Sequence, residues 1–276
     1  MDRWYELGQS AAKVALKYRV AHKLGFDEPC DIFQTVADEK IDLQFVDVPS
    51  LEGMFLQESE ATRICVCALR PWGRQRYTTA HELGHCILGH GTQIDTVMDT
   101  RGQQPTLPDE EILAEAFARF LLMPPRAVSR AFGKGQTSDP HEVFKASCWL
   151  GVGYGTLVRQ MCSSLRLISG AEQERLLQIV RRDLCRKIAG IPTIKEDVWP
   201  LDERWRDRRV HAQIGDVIQG VCAKGSTLLA PITSIANLVE CIGTETVPLI
   251  AGGEVTISSS LRSFVGFYDY RYLPEG

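Results

Sequence analysis

His81 and His85 bracket Glu82 in the run His81-Glu82-Leu83-Gly84-His85. On a helix, residues four apart share a face, so both imidazoles project toward one point with Glu82 beside them. Two neutral nitrogen donors aimed together suit a zinc ion, and an adjacent carboxylate suits the task of taking a proton from water that the ion has made acidic, with a pKa near ~7. Thr78-Thr79-Ala80 before the run and Cys86-Ile87-Leu88 after it allow the helix to be partly buried. A solvated helix face carrying the same three residues by chance is the bland alternative, but unpartnered imidazoles in an apolar segment are costly to bury. The chemistry indicated is zinc-dependent hydrolysis of a peptide bond, with Glu82 as base and then as proton donor to the leaving amine.

A catalytic zinc site of this kind needs a third protein ligand. The longer pattern HExxHxxGxxH is excluded, because Leu88 stands where its glycine belongs and Gly91 where its histidine belongs. His90 follows Gly89, a helix-ending residue, and reads as a loop histidine. The next helical segment offers Glu110, Glu111 and Glu115. Glu111 and Glu115 share a stripe with Ala118 and Leu122, and Glu115 has an alternative partner in Arg119 at i+4. Periodicity does not choose among the three. A developing oxyanion needs a donor besides the metal; Tyr77, Arg74 and His90 are the candidates, with packing and surface roles the ordinary reading of the first two.

The elements that must position these residues follow from the hydrophobic period. Leu7, Ala11, Val14, Ala15, Tyr18 and Ala21 recur at helical spacing between Trp4 and Lys23, and a second helix runs through Ile32, Phe33, Val36 and Ala37. Residues 41–48, 54–56 and 63–68 read as strands of a small antiparallel or mixed sheet. Cys65 and Cys67 share one face of the last of them as buried small hydrophobes. A helix over residues 74–88 carries the histidines, the stretch Gly91 to Pro108 reads as a long loop, and a helix over 112–123 is halted by Pro124-Pro125. Helices at 142–149 and 154–167, separated by Gly151-Val152-Gly153, give a helix-turn-helix outline. One helix is expected over 171–189 on the stripe Leu177, Val180, Leu184 and Ile188. From Val198 the texture changes to short apolar runs broken by Gly, Thr and Ser, the pattern of a small β-rich unit.

The chain has 276 residues, 44% hydrophobic and 24% charged, with a net charge of -4, which is enough apolar material for a packed core and no global positive field for nucleic acid or an anionic membrane. The opening residues Met1-Asp2-Arg3-Trp4-Tyr5-Glu6 lack a secretion-signal pattern and no stretch spans a bilayer, so a cytoplasmic location is expected. The nine cysteines, an odd count without paired CxxC motifs, are expected as reduced thiols, and none is assigned to metal.

The run Arg74-Gln75-Arg76-Tyr77-Thr78-Thr79-Ala80-His81-Glu82-Leu83-Gly84-His85 closely resembles the motif of ImmA/IrrE-type metallopeptidases. Glu111-Ile112-Leu113-Ala114, followed by Phe117-Ala118 and Leu121-Leu122-Met123-Pro124, resembles the second motif of that family. The resemblance covers roughly the first 165 residues and implies a Zn2+ ion held by His81, His85 and Glu111, with Glu82 catalytic. The chain departs from the family at Glu115, where an asparagine or aspartate often stands. The resemblance further implies regulatory proteolysis of a protein substrate, a helix-turn-helix transcriptional repressor, often encoded nearby. The whole is expected to be α+β: a zincin-like peptidase domain with a small sheet and the HExxH helix over residues 1–135, a helical, helix-turn-helix-like segment over 136–195, and a β-rich domain over 196–276, outside the resemblance.

Two rival readings remain. In one, residues 142–169 bind DNA, but the second helix offers only Arg159 and Arg166 to phosphates amid Leu157, Val158, Met161 and Leu165, so direct DNA binding is not favoured. The basic run Arg204 to Arg209, interrupted by Asp207, reads as a solvated turn. In the other, the zinc is structural and the protein binds its repressor without cutting it; Glu82, useless to a purely structural ion, argues against this.

Overall fold

Helix α1 (Arg3–Ala21) opens the chain and buries Ala11, Ala12, Ala15 and Tyr18. Short helix α2 (Ile32–Asp38) follows, then strands β1 (Asp42–Val46), β2 (Leu51–Gln57) and β3 (Thr62–Cys67), as the alternating apolar pattern requires. The computed structural model describes residues 3–57, 61–96, 107–133 and 135–272. Helix α3 (Trp72–Leu88) starts after Pro71 and ends at Gly89, whose φ of 73° and backbone N–H close the last turn. Strand β4 (Gln93–Thr96) comes next. It corrects the expectation of a loop from Gly91: Gln93-Ile94-Asp95 has too little apolar alternation to announce a strand, and only pairing with β2 makes it one. The rest of that expected loop, 97–106, lies outside the described residues.

Helix α4 (Asp109–Leu122) carries Asp109, Glu110 and Glu111 in its first turn, where acidic charge complements the helix dipole. It stops before Pro124-Pro125 as expected, but Pro125 then starts a further helix, α5 (Pro125–Phe132), because proline is well suited to a first helical position. Helices α6 (Pro140–Leu150) and α7 (Tyr154–Ser163) meet at a turn in which Gly151 has a φ of 69°. Leu157, Val158 and Met161 of α7 are fully buried, so that helix spends its apolar face on the core. The single helix expected over 171–189 is two, α8 (Gly170–Leu177), closed by a Ser169/Glu172 capping box, and α9 (Arg181–Ala189). The break lets Leu176 and Leu184 both be buried while Val180, taken from sequence as part of the stripe, is 59% exposed.

Three sheets organise the strands. The first is mixed, in the order β12-β1-β3-β2-β4, with β1 parallel to β3 and the other pairs antiparallel; its edge strand β12 (Gly266–Phe267) comes from the far end of the chain. In the carboxy-terminal half, β5 (Val198–Pro200), β7 (Val217–Gln219), β8 (Leu229–Pro231) and β9 (Ala236–Val239) form a sheet in the order β5-β7-β9-β8. Strands β6 (Arg209–Gln213), β10 (Gly243–Pro248) and β11 (Glu254–Ser260) form another, β10-β11-β6. The architecture is α+β.

The hydrophobic core runs without interruption from α1 to these last sheets. Arg271, 1% exposed, fastens the end of the chain to the first sheet: its guanidinium carbon lies 4.2 Å from the ring centroid of Phe45 and 4.3 Å from that of Trp72, while Nε donates to Ser260 Oγ at 3.2 Å. The nine cysteines are unpaired. Among the described residues, no helix is long and apolar enough to cross a membrane.

A candidate metal centre between two helices and an edge strand

The site begins with α3. His81 and His85 are buried on the face turned toward α4 and β4, with their Nε2 atoms 3.1 Å apart, while Ala80 and Leu83 are wholly buried in the core. Helix α4 crosses α3 closely because Gly84 meets the small Ala114 at the crossing and leaves room for the Phe117 ring: a Cβ on Gly84 would lie 3.2 Å from Ala114 Cα and 3.1 Å from Phe117 Cδ1. That approach delivers Glu111 across the gap, with Oε2 3.2 Å from His81 Nε2 and Oε1 3.4 Å from His85 Nε2. Of the three carboxylates open from sequence, Glu111 is therefore the one brought to both histidines. Glu110 is exposed, and Glu115 lies on the other side of His81, its Oε2 3.8 Å from Nδ1.

Strand β4 adds a residue the sequence reading did not select. Asp95 Oδ2 is 3.2 Å from His81 Nε2, and one donor atom from each of His81, His85, Asp95 and Glu111 lies within 4.8 Å of all the others. Four N and O donors around a tetrahedral ion at bonds of about 2.0–2.1 Å stand about 3.3 Å apart. The contacts of 3.1–3.4 Å between these side chains match that spacing, so the residues fit a divalent metal. No spacing signal pointed to Asp95; it becomes visible only once β4 is paired with β2, opposite Gly53.

Glu82 completes the picture. It is fully buried and neither carboxylate oxygen has a hydrogen-bond partner, a state that native proteins rarely tolerate outside functional sites. Burial pushes its carboxyl well above the usual carboxylate range. Burial by itself would lower the His81 imidazole, but the carboxylates of Asp95 and Glu111 outweigh it and carry the pKa up to about 10. At His85 burial, reinforced by the charge on His81, takes the imidazole down to about 4. Asp95, which burial would raise, is lowered by His81.

Outer contacts orient these side chains. The Tyr77 hydroxyl donates to Glu115 Oε1 at 2.8 Å, and Glu115 in turn faces His81 Nδ1. His90, read from sequence as a loop histidine, has its Nδ1 3.0 Å from His85 Nδ1, on the side away from the cluster. Histidine ligands are commonly held through their second nitrogen, as His90 holds His85. Of the candidate oxyanion donors, Tyr77 and Arg74 line a cavity of only about 80 Å³ beside His81, where Tyr77 is engaged by Glu115 and Arg74 by Glu52 at 3.0 Å. His90 is turned away from it.

A helix bearing HExxH, a second helix bearing a carboxylate and a sheet edge alongside them are the parts of a metallopeptidase. Residues 37–154, less than half of the 276, match the family model of the IrrE N-terminal-like domain, peptidase family M78. No curated protein matches the chain.

Proposed function

We propose that this protein is a zinc-dependent endopeptidase acting in the cytoplasm, with His81, His85 and Glu111 as metal ligands and Glu82 as the catalytic base. The observation that carries the proposal is the convergence of three donors beside a buried carboxylate that has no partner of its own. The metal, when bound, supplies the positive charge that makes a water acidic near neutral pH and polarises a peptide carbonyl. Glu82, raised by burial, accepts the proton of that water and returns it to the leaving amine. His90 holds the His85 imidazole through its second nitrogen so that Nε2 points into the site, and Glu115, fixed by Tyr77, places a carboxylate 3.8 Å from the second nitrogen of His81.

The substrate class that the family likeness of the two motifs supports is a helix-turn-helix transcriptional repressor. The test is co-expression of such repressors with the wild type and with Glu82→Gln. Cleavage by the first and not the second supports the proposal, and intact repressor in both cases removes the substrate assignment.

A second reading has one observation in its favour. Asp95 makes a fourth protein donor, as in a closed structural site. A chain of that kind would bind its repressor without cutting it. Glu82 is the argument against, since burying an unpartnered carboxylate costs about 1–3 kcal/mol with no gain to a purely structural ion.

A further inference from the structure

We infer that Asp95 is a removable fourth ligand, so that the folded protein holds its metal centre closed and becomes competent for peptide only when the edge strand β4 lets that carboxylate go. The inference rests on the metallopeptidase reading and concerns the regulation of the same site.

Three observations carry it. The first is position: Asp95 Oδ2 approaches the same His81 Nε2 that Glu111 Oε2 approaches, at 3.2 Å in both cases, so it is placed to serve as a fourth donor to an ion held by His81, His85 and Glu111. The second is space. The cavity beside His81, lined by Asp95, Thr78, Tyr77 and Glu115, is about 80 Å³. That is room for a few waters and well below the size of pockets for organic ligands, which run to about 300 Å³ or more. Asp95 stands in the space beside His81 that a peptide carbonyl would need.

The third is the difference in how the four residues are held. His81 and His85 sit on a helix of 17 residues and Glu111 on one of 14, both packed into the core. Asp95 sits on a four-residue strand at the edge of its sheet, paired among the described residues with β2 alone through a register with an irregularity at Leu51/Gly53. Its neighbour Ile94 is 60% exposed, so little apolar burial anchors the strand. Short edge elements of this kind open at low free energy, whereas the two helices open only with the core. Asp95 is thus the donor that can leave without disturbing the other three.

The test uses the full chain loaded with cobalt(II), whose visible absorption reports coordination. Azide is the probe, because it binds only where a coordination position is open or easily opened. The wild type is expected to bind a single cobalt per chain and to respond little to azide. Asp95→Ala is expected to keep the cobalt with affinity about tenfold weaker and to change its spectrum on azide addition; Asp95→Asn, which preserves the shape of β4, is expected to behave in the same direction. Equal cobalt affinity and equal azide response in wild type and both variants overturns the role of Asp95 and leaves the metallopeptidase reading standing. Failure of the wild type to hold stoichiometric cobalt overturns both.

Discussion

Gly53 of β2 stands so close to Glu82 of α3 that a Cβ on the glycine would overlap Oε1 and lie 3.0 Å from Cδ. The same Cβ would overlap the Thr78 Cγ2 methyl, so the glycine leaves room for both side chains of α3 that face the strand. A glycine inside a strand weakens it, and here the close approach of the base explains why it is needed. Gly53→Ala is expected to displace Glu82 while leaving the three metal donors in place. Peptide hydrolysis should fall about 100-fold with metal content unchanged, because displacement of a catalytic group by about 1 Å costs that much. Unchanged turnover in the variant would show that Glu82 does not depend on this contact.

The buried carboxyl of Glu82 also sets a pH dependence. Its folded pKa is raised above the unfolded value, so above about pH 4.3 the folded state holds a proton that the unfolded state has lost, and stability of the metal-free protein falls as pH rises. Glu82→Gln removes that term. Urea unfolding of metal-free protein at pH 8 should find the variant more stable by about 1–3 kcal/mol, with the gap narrowing toward pH 4 to 5.

Metal uptake should show the opposite trend with pH. Metal-free His81 keeps its proton up to about pH 10, and an imidazole must be neutral to bind an ion. Each ion bound therefore releases that proton, and affinity should rise by about tenfold per pH unit between pH 6.5 and 8.5. Competition with a chelator across this range measures it; a flat profile would mean that His81 is already neutral.

Tyr77, Glu115 and His90 reach no donor position themselves, yet His90 fixes the His85 ring and Glu115, held by Tyr77, sets a negative charge beside the second nitrogen of His81. Glu115→Gln and His90→Ala should each weaken metal binding about 10- to 100-fold without large loss of stability. Chelator competition alongside thermal unfolding separates the two effects.

Arg271 places a cation among Phe45, Trp72 and Phe33, and burial lowers its guanidinium to about 10. Arg271→Ala should destabilise the fold by about 2–4 kcal/mol through the cavity and the lost stacking. Arg271→Met, which refills the volume without a charge, should cost less, as apolar replacements of buried ions commonly do.

The two-histidine face of α3, the strands β1 to β3 and the helix carrying Glu111 were legible because each is written in local periodicity or in a motif with fixed spacing. What escaped was non-local. Gln93-Ile94-Asp95 has no strand pattern of its own, so Asp95 could not be placed beside His81 before β2 was known to pair there. Gly53 lay just outside the strand expected over 54–56 and carried no signal of its own until α3 was laid across it. Phe267 and Arg271 lie more than 200 residues from the strand they complete, and no local pattern records that return. Pro124-Pro125 was read as a stop because proline ends one helix, although the same residue type begins the next.

The most direct test of the account is metal content measured together with peptide hydrolysis for wild type, Glu82→Gln and His85→Ala. A metal centre served by Glu82 predicts a single ion per chain in the first two and none in the third, with hydrolysis confined to the wild type. Wild type that carries no stoichiometric metal, or Glu82→Gln that hydrolyses peptide as fast as wild type, would contradict it.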